Sequence, residues 1–366
     1  MEVRAEMNIR FVTDPLVTTA GAVRPALLLA KEFSKKGWNV AIVTTRCNES
    51  IREWLVKDRI TVRAVGPEYS LMRSFPTLDA WARCLIKQKI VQDHGDFDVV
   101  VNTSSCIVAR SRSYYAQGLM TRALDEMLRE MPAHYSVFYR LVRKEAMKLE
   151  TKLVRWFREL SELFVANSES CASMYRNWGI PVDNVINPPL DCSKFKPIKN
   201  KPNGDYVLTN MGVYGKEGKL TVIKTVADRG VRVKVFGDLS STTEALTKHP
   251  NVRCLGKVSD AELVSLYSNA LFVLFAFSHE PFGYIPVESM ACGTPVLTFS
   301  REGPLETVVD GMTGWLAGDD RELISLATRL WKNGYDGRMR INCRERALAF
   351  DTRKVFTDWL RILSLS

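Results

Sequence analysis

Residues 278–296 read SHEPFGYIPVESMACGTPV, and their spacing poses the first problem. Glu280 and Glu288 stand eight positions apart, about two turns if both lay on one helix. A solvated stripe on an amphipathic surface helix would give that spacing with no function attached. The residues between them argue differently. Glu280 precedes Pro281 and Gly283, which puts it in a loop leading into a helix that starts near Gly283. That helix tolerates Pro286 in its first turn and stops at Gly293. One carboxylate then stands at the helix mouth and the other about a turn inside. Amides at a glycine-bearing helix start suit a phosphate, and nearby carboxylates accept hydrogen bonds from sugar hydroxyls. Together these features suit a nucleotide sugar.

Outward from this stretch, the chain alternates apolar runs with helical patterns. NIRFVT (8–13), the glycine-bearing loop TTAGA (18–22), the helical RPALLLAKEFSKKG (24–37) and NVAIVTT (39–45) predict a βαβ unit and a parallel sheet. DVVVNTS (98–104), SYYAQ (113–117) and LFVAN (163–167) continue it. Near residue 200 the polar, basic KFKPIKNKPNGD, with Pro197 and Pro202, has the composition of a linker. The alternation then restarts with YVLTNM (206–211), RVKVFG (232–237), VRCLG (252–256), LFVLFAF (271–277) and PVLTF (295–299). Two parallel α/β units with a cleft between them are expected, with ligands beyond the carboxyl ends of the strands. TRKVFTDWLRILS (352–364) predicts a final amphipathic helix.

A chain of 366 residues exceeds what one core usually covers, which agrees with two units. The net charge of +10 is mild and suits an anionic ligand or membrane surface better than a nucleic-acid groove. No nucleic-acid-reading motif is present, so no nucleic acid is expected as a partner. Eight cysteines are scattered without a C-x-x-C pair, as expected of reduced thiols in a cytoplasmic protein. MEVRAEMNIRF does not have the pattern of a signal peptide. The longest apolar run, ALFVLFAF (270–277), is far below the roughly 20 residues that span a bilayer.

A second motif strengthens the first. REGPLETVVDGMTGWLAG (301–318) sets Gly303, Pro304 and Glu306 after a strand and follows them with D-G and T-G turns. The window 278–318 resembles the retaining glycosyltransferases of the group 4 family, which have the GT-B fold and include mannosyltransferases. That family's two glutamates separated by seven residues are matched by Glu280 and Glu288. Weaker likenesses lie in IPVDNVINPPLDCSKFKP (180–197), through Asp191, Phe195 and Pro197, and in ELFVANSES. TTAGA resembles the N-terminal glycine loop, with the usual double glycine reduced to Ala20-Gly21.

The resemblance implies an α/β GT-B fold with two Rossmann-like lobes. The acceptor lobe would be 1–195, the linker 196–204, the nucleotide-sugar lobe 205–350, and 351–366 would form a helix crossing back to the first lobe. It implies transfer of a hexose from a nucleoside diphosphate sugar, with Glu280 near the anomeric carbon and Glu288 on the ribose. Lys216, Lys219 and the Gly21 amide would face the diphosphate. His279, Phe282, Gly283 and Tyr284 complete the donor side, and Arg24 and Gln117 the acceptor side. No obligatory metal is implied. GPLET resembles the lipid-linked-oligosaccharide mannosyltransferases, so GDP-mannose is the first donor to test and a UDP-sugar the other. A polyprenyl-linked glycan or a glycolipid fits as acceptor, with the enzyme working in the cytoplasm or at the membrane face.

Two departures stand out. Where the family has an arginine and then a lysine, MGVYGKEGK (211–219) has Lys216 and Lys219 alone. Where many relatives have a histidine near the reacting sugar, SYYAQG has Gln117. A catalytically silent nucleotide-sugar binder, or an isomerase or hydrolase of the same fold, therefore stays open. Asp96-Phe97-Asp98 has the D-x-D form of a metal motif, but its place before VVVN favours a solvated strand start. His279 is either a donor contact or an exposed loop histidine. YSVFYRLVRKEAMKLETKLVRWFREL (135–160) is basic and amphipathic, so it either lies on an anionic membrane or packs on the first sheet.

Overall fold

A computed structural model of the chain describes residues 7–19, 21–66, 76–87, 97–128, 133–198, 204–212, 219–239, 242–277 and 279–364. Lys216, Ala20, Asp96 and most of the expected linker, 199–203, lie outside the described residues. The chain divides into two compact units, one of residues 1–121, 140–189 and 352–366, the other of residues 122–139 and 190–351.

The first unit is built on β1 (Asn8–Thr13), β2 (Asn39–Thr44), β3 (Ile60–Ala64), β4 (Val99–Asn102), β5 (Ser111–Ala116), β6 (Ser161–Ala166) and β7 (Asn184–Val185). These strands run in the order β3-β2-β1-β4-β5-β6-β7, and every pairing is parallel. The helices in this part of the chain are α1 (Arg24–Lys35), α2 (Glu49–Lys57), α3 (Pro76–Lys87), α4 (Met120–Met127), α5 (Ala133–Glu159) and α6 (Glu169–Arg176). Because parallel strands are covered on both faces, they read as continuous apolar runs. β3 and β7 were not legible that way. ITVRA is largely exposed at the sheet edge, and β7 has only two residues.

The second unit holds β8 (Val207–Met211), β9 (Val233–Gly237), β10 (Val252–Gly256), β11 (Val273–Phe275), β12 (Val296–Phe299) and β13 (Gly314–Ala317). Their order is β10-β9-β8-β11-β12-β13, again parallel throughout. Its helices are α7 (Leu220–Asp228), α8 (Glu244–Thr247), α9 (Asp260–Asn269), α10 (Tyr284–Ala291), α11 (Glu302–Thr307), α12 (Asp320–Asn333) and α13 (Arg338–Ala347). In this sheet the order reverses between β8 and β11, and in the first between β1 and β4. Such reversals open a crevice at the carboxyl ends of the strands.

α14 (Thr352–Ile362) groups with the first unit although the second precedes it in sequence. Its stripe of Val355, Phe356, Trp359 and Leu360 is buried, as is Leu363 just past its end, the periodicity of a helix with one apolar face. Trp359 meets the Tyr115 ring edge-on at 5.2 Å, and Phe356 meets Phe33 at 4.7 Å.

The long basic helix α5 divides its surface along its length. Toward its C-terminus Leu153, Val154 and Phe157 are buried, and Phe157 stacks on Tyr114 of β5 at 4.3 Å. Toward its N-terminus Val137 is 57%, Phe138 64% and Leu141 78% exposed. The packing alternative therefore holds for the C-terminal part of this helix, and the N-terminal part leaves these apolar side chains exposed. Among the described residues, no helix is long and apolar enough to cross a membrane.

Candidate active site

The second unit brings its chemistry to the crevice between β8 and β11. Lys219, the residue before α7, donates its backbone N–H to the Ala276 carbonyl just past β11 at 3.1 Å. This bond ties the two loops together at the point where the strand order reverses. The Lys219 Nζ lies 2.7 Å from Asp320 Oδ1 and 4.7 Å from the centre of the Phe299 ring. Arg301 stands over the same ring at 4.4 Å. Beside them is a cavity of about 320 Å³ lined by Arg301, Gly318, Asp319, Asp320 and Arg321.

Glu280 lies in the loop between β11 and α10, as the Pro-Phe-Gly turn requires. Its Oε1 accepts the Gly283 N–H at 3.3 Å. Gly283 is the residue before α10 and has φ +91°, a conformation glycine adopts without a Cβ penalty. The loop rests on the segment after β12. Gly303 donates its N–H to the Glu280 carbonyl at 3.1 Å, and a Cβ on Gly303 would lie 2.3 Å from the Phe282 Cα. Only glycine fits that approach.

Glu302, which sequence reasoning passed over, holds the same loop from its side chain. Its Oε2 accepts the Glu280 N–H at 2.7 Å and lies 2.9 Å from His279 Nδ1. Arg122 Nη2 is 3.6 Å from Glu302 Oε1. Burial alone would raise the Glu302 pKa. The His279 hydrogen bond and charge, the Glu280 amide and Arg122 outweigh it and hold the carboxyl below its ordinary value. The alternative of an exposed loop histidine does not survive, because His279 is 1% exposed.

Glu288 sits one turn inside α10 and is 3% exposed, so the solvated-stripe alternative fails too. Its Oε2 accepts the hydroxyl of Tyr267 from α9 at 2.9 Å. Phe282 is 2% exposed and packs against Phe350 and Tyr284. The Phe282 side chain is therefore part of the core of the second unit. Tyr284 is half-buried at the start of α10.

In the first unit the loops after β1 and β4 meet. Gly21 has φ +67° in a short 3-10 turn leading into α1, and Arg24 is the first residue of that helix. Gln117 Nε2 donates to the Ala22 carbonyl at 2.8 Å and to the Thr103 carbonyl at 3.1 Å. It thus braces the Gly21 loop against the β4 loop. Deeper lies Asp14, which the sequence did not flag. Asp14 Oδ1 accepts the Ser104 hydroxyl and the Ser105 N–H, each at 2.8 Å. Burial raises its pKa, against the hydrogen bonds from Ser104, Cys106 and Ser105. Asp98 accepts the Asn8 N–H at 2.8 Å, the structural role its place before β4 suggested. Among the described residues, no three His, Cys, Asp or Glu side chains are grouped to hold a metal.

Comparison with known proteins agrees with this layout. Residues 193–348 match the family described as Glycosyl transferases group 1. The capsular polysaccharide biosynthesis glycosyltransferase CapM of Staphylococcus aureus is 26% identical over 237 residues, covering 57% of this chain and 60% of CapM. The alpha-1,3/1,6-mannosyltransferase of Schizosaccharomyces pombe is 37% identical over 97 residues, 24% of this chain and 18% of that protein. These matches span less than two thirds of either relative. The crystal structure of Anabaena HepE in complex with UDP superposes with a TM-score of 0.71 at 17% identity, covering 98% of this chain and 100% of that one. WaaG, a glycosyltransferase involved in lipopolysaccharide biosynthesis, superposes with a TM-score of 0.66 at 15% identity over 97% of this chain and 99% of WaaG. Residues 193–348 thus carry a domain of the glycosyl transferases group 1, and the two sheets have the GT-B fold of the glycosyltransferase structures they resemble.

Proposed function

We propose that the chain transfers a hexose, with retention at the anomeric carbon, from a nucleoside diphosphate sugar to a glycan or lipid-linked acceptor. The observation that carries this reading is Glu280, set at the mouth of α10 where the strand order reverses and braced there by Glu302 and Gly303. In this reading Glu280 takes a hydroxyl of the hexose and Glu288, oriented by Tyr267, a hydroxyl of the ribose. The amides at the start of α10, with Lys216 and Lys219, offset the charge that develops on the leaving diphosphate. Lys219 would do so while shared with Asp320. Arg24 and Gln117 would serve the acceptor, and no metal is required.

GPLET and the partial likeness to alpha-1,3/1,6-mannosyltransferases support GDP-mannose. The HepE structures with UDP and UDP-glucose keep a UDP-sugar in view. Incubating the protein with each donor, with and without a lipid-linked glycan, decides the matter. Donor consumption that needs the acceptor supports transfer. Acceptor-independent release of the nucleotide would make it a hydrolase, and an intact donor a silent binder. A thermal-shift screen identifies the nucleotide, since a ligand at 100 times its Kd adds about 2.7 kcal/mol.

The exposed Val137, Phe138 and Leu141, on a helix that also carries Arg143, Lys144 and Lys148, favour an acceptor held at an anionic membrane face. Each basic residue near such a surface contributes about 1 kcal/mol. Sedimentation with anionic vesicles at low salt, lost on replacing Phe138 and Leu141 by serine, is expected. A protein that stays in the supernatant at low salt would favour a soluble acceptor.

A further inference from the structure

Glu302 combines two features that rarely occur together. Its backbone lies at φ +52°, the left-handed region that a glycine enters freely and that penalises a side chain. Yet its carboxylate, only 16% exposed, is engaged on every side that the structure describes. It accepts the Glu280 N–H at 2.7 Å, pairs with His279 at 2.9 Å and faces Arg122 at 3.6 Å. With the Gly303-to-Glu280 bond, it fixes both the N–H and the C=O of the residue proposed to meet the hexose. A loop that needed only this backbone shape would be better served by glycine at position 302.

We infer that Glu302 is a positioning residue. Its ionised side chain sets the orientation of Glu280 and assigns the His279 proton to Nδ1, and the strained backbone is the consequence of placing a carboxylate there. This inference rests on the transferase reading for its kinetic consequence and on the geometry alone for its structural one. The Nδ1–H···carboxylate bond holds the His279 ring against Glu302. Glu280 would then present its carboxylate to the hexose from a peptide unit held at both ends. Misplacing such a group by an ångström costs roughly 100-fold in turnover.

The test uses Glu302→Gly, which relaxes the backbone and removes the carboxylate, and Glu302→Gln, which keeps an acceptor oxygen. Three quantities are read: hydrogen exchange of the Glu280 amide, the Kd for UDP and GDP, and kcat with UDP-glucose and GDP-mannose. The expected result for Glu302→Gly is faster exchange at Glu280, an unchanged Kd for the diphosphate without a sugar, and kcat lower by roughly 100-fold. Glu302→Gln should recover part of both kcat and protection. Unchanged Glu280 exchange overturns the inference, as does a loss of diphosphate affinity equal to the loss of kcat. If the wild-type protein consumes neither donor, the transferase reading fails, and the Glu280 exchange still decides whether Glu302 positions the loop.

Discussion

Replacing Tyr267 by phenylalanine removes a single oxygen from a ring that is 0% exposed. The volume is nearly conserved, so little cavity cost arises. What is lost is the 2.9 Å hydrogen bond from the Tyr267 hydroxyl to Glu288 Oε2, on a carboxylate that is itself 3% exposed. A hydrogen bond to a charged group contributes about 1.5–3 kcal/mol, and here water cannot readily replace the donor. For a unit of this size each kcal/mol moves Tm by roughly 2–4 °C, so the second unit should melt roughly 3–12 °C earlier. The assay is thermal unfolding of Tyr267→Phe, Glu288→Gln and the double variant. Because the two groups touch, the double variant should cost less than the sum, with a coupling of roughly 0.5–3 kcal/mol. Nucleoside diphosphate affinity should fall in Tyr267→Phe, since the carboxylate loses its orientation. In Glu288→Ala it should fall about 10- to 150-fold, from the same 1.5–3 kcal/mol. Strictly additive melting would refute the pairing. Unchanged diphosphate affinity in Glu288→Ala would remove that residue from the donor site.

Two further outcomes follow from the first unit. Asp14 has its pKa raised by burial, so its ionised form opposes folding at neutral pH, and that penalty is relieved as pH falls through the raised folded value. Asp14→Asn keeps Oδ1 as acceptor for Ser104 and Ser105, so it should stabilise the unit at neutral pH and lose that advantage in acid; a pH series of urea midpoints checks the sign. Trp359→Ala empties a fully buried site against Tyr115 and should cost about 3–5 kcal/mol, read by denaturant unfolding. A change of only a few tenths would mean that α14 does not anchor the first core.

The sequence carried the parts of this structure that are written in local pattern. Runs such as NIRFVT and VRCLG became strands with the expected bounds, because a strand buried on both faces must be apolar throughout. β13 was hidden because GWLA is four residues wedged between turn signals. Glu280 and Glu288 were legible from their spacing and from Gly283. Glu302, Tyr267 and Asp14 were not, for a common reason. Their partners lie 22, 21 and about 90 positions away, and a positive φ at a glutamate leaves no compositional trace. Only its place just before Gly303-Pro304, in a turn abutting the Glu280 loop, hinted at Glu302. His279 illustrates the limit from the other side, since the sequence left it open between a donor contact and an exposed loop histidine, while the Glu302 carboxylate holds it inside.

The most direct test of the central claim is the anomeric outcome and Glu280 dependence of sugar transfer. Wild-type protein and Glu280→Ala are incubated with UDP-glucose or GDP-mannose and a lipid-linked acceptor, and the product is followed by proton NMR. The expected result is a product that keeps the donor's α configuration, formed far more slowly by Glu280→Ala although that variant binds the free diphosphate as the wild type does. A β-linked product, or equal rates from the two proteins, would contradict the account.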